Sequence, residues 1–190
     1  MSKISCLAFL VMLAVASHAS AQSAQHYANA LTPLLDAVGG KTIGSLDPGA
    51  AVDVLGQSGG ATQIAIHGWS AQGADATVFV APDRHIVMLS GFSGQAVTGT
   101  SQTVNGSVYT AVTIKGWVPT GVLIDDVQVV WKSAGDLYAK SCASCHALPA
   151  ATSYSAAQWP AIMKTQASNA GLDAGQAALI TAYLQNQSGH

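Results

Sequence analysis

The 190-residue chain contains no glutamate, and its nine acidic residues are all aspartate. Any acid–base carboxylate pair would have to be built from Asp alone. Charged residues make up only 8% of the chain, against about 25% in an ordinary soluble protein. Seven Lys+Arg against nine Asp leave a formal charge of -2. No basic patch is available to grip a phosphate backbone, so nucleic acid is not expected as a partner. The 49% hydrophobic share argues against a disordered chain, which needs low hydrophobicity and high net charge. No nucleophile–base constellation and no Gly-rich phosphate loop is present, so the sequence does not read as an enzyme.

Long apolar runs are also scarce, and the one that stands out is at the start. Lys3 precedes an apolar stretch from Ile4 to Ala16, followed by Ala19-Ser20-Ala21. A positive flank, an apolar run well short of the roughly 20 residues needed to span a bilayer, and a small-x-small site make a cleavable export signal. Residues 1–21 are therefore read as a signal peptide, with a periplasmic mature chain from Gln22 and a charge of -3. Cys6 leaves with the signal, and no membrane span is expected in the mature chain. Two cysteines remain, Cys142 and Cys145.

Those two stand in Cys142-Ala143-Ser144-Cys145-His146, the C-x-x-C-H pattern of covalent c-type haem attachment. Two thiols three positions apart can reach the two vinyl groups of one porphyrin, and the next residue, His146, falls under the iron as proximal ligand. A thioredoxin-like dithiol would want a strand–helix–strand setting. A plain disulfide would close a strained loop, and zinc would need a further ligand. One covalent haem c on Cys142, Cys145 and His146 is the expectation. The distal position is open to Met163, seventeen residues past His146, as leading candidate. His67 and His85 are alternatives, and an open iron would suit a haem-based gas or redox sensor.

From Trp131 onward the pattern is helical. A short helix through Asp136–Ala139 leads into the motif. Ser155-Ala156-Ala157-Gln158 and Asp173-Ala174-Gly175-Gln176 have capping-box form. The first should start a helix running through Trp159 and Met163, with Pro160 in its first turn. The second opens a helix with a stripe of Leu179, Ile180, Tyr183 and Leu184. Leu137 and Tyr138 are expected to pack on Tyr183 and Leu184.

Trp131-Lys132, Asp136-Leu137-Tyr138, the haem motif with Ala147-Leu148-Pro149, Gln158-Trp159-Pro160, Leu172-Asp173 and Tyr183-Leu184 together resemble the C-terminal mono-haem domain of the pentahaem cytochromes that serve periplasmic TMAO and DMSO reductases. The stretch from Gly116-Trp117-Val118 through Asp125-Asp126 is similar to the segment before that haem. The resemblance covers about residues 115–187. It implies one-electron transfer, with a redox protein partner such as a molybdenum oxidoreductase.

Residues 40–130 read as β, with short β-branched runs punctuated by Gly, Asn, Asp, Pro and Ser. Gly44–Leu55 followed by Thr62–Trp69 resembles bacterial SH3-like domains. Thr62–Trp69 is echoed by Thr110–Trp117 at a spacing of 48, marking either two related half-units or two strands that pair. Each Gly-Trp reads as a turn plus a core anchor. The apolar pattern from Gln22 to Leu35 suggests a short helix. The expected fold class is α+β: a signal peptide (1–21), an N-terminal helical segment (22–39), a small SH3-like β-barrel domain (40–130) and an all-α cytochrome c-like domain (131–190).

Overall fold

In the computed structural model, residues 25–188 are described, so the expected signal peptide and its Cys6 lie outside the described residues. The strands are β1 (His26–Ala28), β2 (Thr32–Leu35), β3 (Thr42–Leu46), β4 (Ala51–Ser58), β5 (Ala61–Ala71), β6 (Val78–Ala81), β7 (Arg84–Ser90), β8 (Val97–Val104), β9 (Ser107–Pro119) and β10 (Leu123–Ile124). Three helices follow: α1 (Val127–Cys142), α2 (Trp159–Asn169) and α3 (Ala174–Gln187), with a 3₁₀ turn at Ala151–Ser153 before α2.

The two longest strands, β5 and β9, carry the architecture. They pair antiparallel from Ala61 opposite Pro119 to Ala71 opposite Tyr109. Alternate residues of β9, Val112, Ile114, Gly116 and Val118, turn inward, as a period of two requires. Pairings then run β5–β6–β7–β3–β2–β9 and return to β5, closing a ring. Strands β4, β1 and β10 extend outward from β5, and β8 extends outward from β9. Leu34, Leu46, Ile64, Ile66, Leu89 and Ile114 fill the centre, each at most 1% exposed.

The echoed segments are two strands that pair. Ile66 faces Ile114 at the middle of the ladder, and these two residues are also equivalent in the 48-residue repeat. A local two-fold axis between them therefore carries β5 onto β9. Neither Gly-Trp is a turn; both lie inside these strands. A Cβ on Gly68 would come 2.4 Å from Val78 Cγ1, and one on Gly116 would come 2.6 Å from Leu34 Cδ1. These glycines permit close approach of neighbouring strands and do not break their own.

Several expectations are corrected. The α+β class of a small SH3-like barrel followed by an all-α cytochrome c-like domain does not hold. Among the described residues the protein is mostly antiparallel sheet, ten strands with about 40% of those residues in strand, and three helices packed on it. The segment 22–39, read as helical, holds β1 and β2 instead, because Ala28 and Leu34 bury completely against neighbouring strands. The boundary at 130 falls inside α1, which starts at Val127 behind an Asp126 cap on the Gln128 amide.

The ties between helices and sheet include two with defined partners. The Trp131 indole of α1 lies against Gly49, where an added Cβ would meet the ring at 2.2 Å and φ is +79°. Gln185 of α3, 2% exposed, donates through Nε2 to the carbonyl oxygens of His85 on β7 and Ala156 before α2, both at 2.9 Å. Both amide hydrogens of one side chain thus tie the sheet, the entry to α2 and α3 together.

Candidate haem site

Cys142 is the last residue of α1, and Cys145 and His146 lie in the turn beyond it. Ala143 is the C-cap, its amide bonding back to the Ala139 carbonyl. The chain then returns over α1, fixed where the Tyr138 hydroxyl donates to the Pro149 carbonyl at 2.8 Å. A second tie follows: Trp159, 1% exposed, donates its indole N–H to Ala151 O at 2.9 Å. Tyr154 meets the Trp159 ring edge-on at 5.0 Å between centroids. α2 begins at Trp159, with Pro160 in its first turn.

The Ser155 box forms only in part. Gln158 Oε1 accepts from the Ser155 amide at 2.9 Å, but the Ser155 hydroxyl donates to that same oxygen and caps no amide. The helix consequently starts after Gln158 instead of at Ser155. The Asp173 box is complete, with Asp173 accepting from the Gln176 amide and Gln176 reaching back. It sets α3 so that Ile180 and Leu184 are fully buried against Tyr138, Trp159 and Met163, with Leu137 and Tyr183 at the margin.

These elements enclose a cavity of about 420 Å³, lined by Cys142, Cys145, His146, Met163, Trp159 and Ile162 among others. Its size lies within the roughly 300–1,000 Å³ of ligand and cofactor pockets. No charged side chain lines it. All four residues expected from the sequence as haem ligands or anchors are therefore brought to one place. Met163 is 3% exposed and points into the same space, while Met88 is buried in the sheet core. His67 and His85 do not line this cavity. His67 is engaged with Asp53 at 3.2 Å and Thr113 at 3.0 Å, and His85 with the Tyr109 hydroxyl at 2.6 Å.

The chemistry of the donor set fits a haem. Both cysteines are free thiols. Burial pushes the Cys142 thiol above its ordinary value, and the neighbouring Cys145 adds to the shift. A thiol at a helix C-terminus also feels the negative end of the helix dipole. A thioredoxin-like pair needs the reverse, a thiolate favoured at a helix N-terminus. The His146 ring nitrogen Nδ1 lies 2.8 Å from Ala147 O. A carbonyl only accepts, so the proton sits on Nδ1, and in the neutral ring Nε2 keeps its lone pair for a metal. Tyr154, which no sequence motif singles out, also lines the cavity. The available signal was an aromatic in the short link between the motif and Trp159.

The family described as the TorC third cytochrome c domain matches residues 19–123. That stretch holds no cysteine, so the haem motif lies beyond it. The cytochrome c-type protein TorY of Escherichia coli O157:H7 is 24% identical over 148 residues, 75% of this chain and 40% of that protein. The cytochrome c-type protein TorC of the same organism is 26% identical over 166 residues, 84% of this chain and 43% of that protein. TorC of Escherichia coli strain K12 gives the same identity and coverage. The chain thus spans less than half the length of these curated relatives. No solved structure matches it.

Proposed function

The chain belongs to the TorC third cytochrome c domain family, and on that premise we propose that it is a periplasmic c-type cytochrome carrying single electrons through one covalent haem c. The observation that carries this reading is the convergence of Cys142, Cys145, His146 and Met163 on one uncharged cavity. Cys142 and Cys145 would hold the porphyrin by thioethers. His146 would bind the iron through Nε2, oriented by its Nδ1–H bond to Ala147, and Met163 would supply a second, sulfur ligand. When bound, the haem supplies one-electron exchange between ferrous and ferric iron. The protein's own part is to fix the ligands, through Tyr138, Trp159 and the Gln185 ties, and to limit water with an uncharged, largely apolar wall.

The partner is proposed to be a periplasmic molybdenum oxidoreductase, in keeping with the resemblance of residues 115–187 to cytochromes that serve such enzymes. Among the described residues no helix is long and apolar enough to cross a membrane. Absorption spectra of chain exported in a host with c-type maturation test the reading. Sharp reduced haem bands that survive acid–acetone extraction are expected, along with a Met-to-iron charge-transfer band in the oxidised form that Met163→Ala removes. An exported chain without covalent haem would overturn the proposal. Haem that lacks the methionine band and takes up carbon monoxide rapidly and stoichiometrically when reduced would replace electron transfer with sensing.

A further inference from the structure

The thirty residues from His85 to Ile114 contain no Asp, Lys or Arg. Within that span lies β8, the last strand at one end of the sheet. It pairs with β9 on one side and with no other strand among the described residues. Seven of its eight residues are exposed, and Val97 is 71% exposed. A terminal strand offers a row of unpaired N–H and C=O groups, which proteins usually guard with lysine, proline or extreme shortness. β8 has none of these. Its ladder to β9 is irregular between Thr98 and Ser101, and from Ser101 to Val104 it is regular.

Open cavities flank the strand as well. One of about 740 Å³ is bordered by Thr98, Val108 and Thr110, and one of about 290 Å³ by Val97, Trp69 and Val80. Main-chain groups at an edge, with hollows beside it for alternate side chains, are the features that strand addition uses.

The charge pattern selects the occupant. An incoming charged strand would find no counter-charge along β8, whereas a neutral Thr/Ser/Gln/Val strand would bring no charge to desolvate. The chain itself supplies such a strand. Antiparallel pairing of β8 with its own copy is isologous, so both strands gain the same contacts and the assembly closes at two. It sets no like charges face to face, and Thr and Ser are favourable opposite one another across antiparallel strands. We propose that β8 is the seam of a homodimer, in which two copies join edge to edge into one continuous sheet. The proposal rests on the sheet alone and is independent of the haem reading.

Sedimentation velocity on the full exported chain, over a wide concentration range, tests it. A concentration-dependent doubling of mass is expected, with amide exchange in residues 97–104 slowing as the dimer forms. The double variant Val97→Lys/Thr103→Lys places four like charges across the seam and should weaken association at least about tenfold. Its melting curve should match that of wild type at dilution. A chain that stays monomeric throughout, or a dimer unaffected by the lysines, would overturn the proposal. Should the variant not fold, exchange on the wild-type chain decides, and concentration-dependent protection lying outside β8 would refute it.

Discussion

Asp47 sits in the turn between β3 and β4, its amide bonded to Met88 O and its side chain in the interior. Carboxylate Oδ2 is buried and has no hydrogen-bond partner among the described residues. Burial pushes its pKa from the ordinary 3.8 up to about 6, and a hydrogen bond from Ser90 only partly opposes this. In the unfolded chain the group loses its proton near pH 4; in the folded chain it keeps it to near pH 6. Between those values the native state holds the extra proton, so the Asp47 contribution to stability falls as pH rises and is fully lost above the folded value. The gap corresponds to about 3 kcal/mol. Asp47→Asn removes the charge at all pH values while keeping the shape. The variant should match wild type near pH 4 and exceed it by about 3 kcal/mol near pH 8. In melting temperature that is roughly 6–12 °C, at about 2–4 °C per kcal/mol for a chain of this size. Urea titrations of both proteins at the two pH values isolate the effect, because every other titrating group is shared. An Asn-minus-Asp difference that is the same at pH 4 and pH 8 would show that the buried carboxyl is not perturbed.

Replacing Gln185 by Leu should cost about 2–3 kcal/mol in denaturant titration, because two hydrogen bonds vanish and the His85 and Ala156 carbonyls are left bare. Gly116→Ala should lose about 1–3 kcal/mol, since the new methyl would meet Leu34 side-chain atoms at 2.6 and 2.8 Å and the Leu35 carbonyl at 3.0 Å. Gly56→Ala, with nothing within 4 Å of the added carbon, should leave the midpoint unchanged or slightly raised; equal losses for the two glycines would refute the close-approach argument. Trp159→Phe keeps an aromatic ring but loses both the bond to Ala151 O and the five-membered half of a buried indole, costing about 2–3 kcal/mol. It should also speed proteolysis in the 149–153 link, which a limited-digestion time course would detect.

The parts legible in the sequence are those fixed by nearest neighbours. The Asp173 box forms because both partners lie within four residues, and Cys142, Cys145 and His146 end up together because one helix terminus carries them. Met163 is a different case: it reaches the cavity only because Trp159, Ile180 and Leu184 pack α2 against α3. The sequence offers its spacing but no reason for its direction. Where long-range pairing decides, the local reading fails. The apolar pattern from Gln22 to Leu35 suits a helix equally well until β4, β3 and β9 offer partners for its backbone. Ser155 resembles a cap, yet its hydroxyl finds the Gln158 side chain closer than an amide.

The 48-residue echo shows the same divide from the other side. Gly68 and Gly116 look like punctuation because glycine usually breaks strands, and the crowding that makes them necessary comes from Val78 and Leu34, on other strands. Repetition alone is compatible with two stacked half-units or with one paired ladder. Only the register, Ile66 opposite its own equivalent Ile114, distinguishes them. A strand that pairs with its own repeat about a two-fold axis places similar residues in similar surroundings. That symmetry gives the echo a physical basis: each Gly sits opposite an inward β-branched residue of the partner strand, Gly68 facing Val112 and Gly116 facing Ile64.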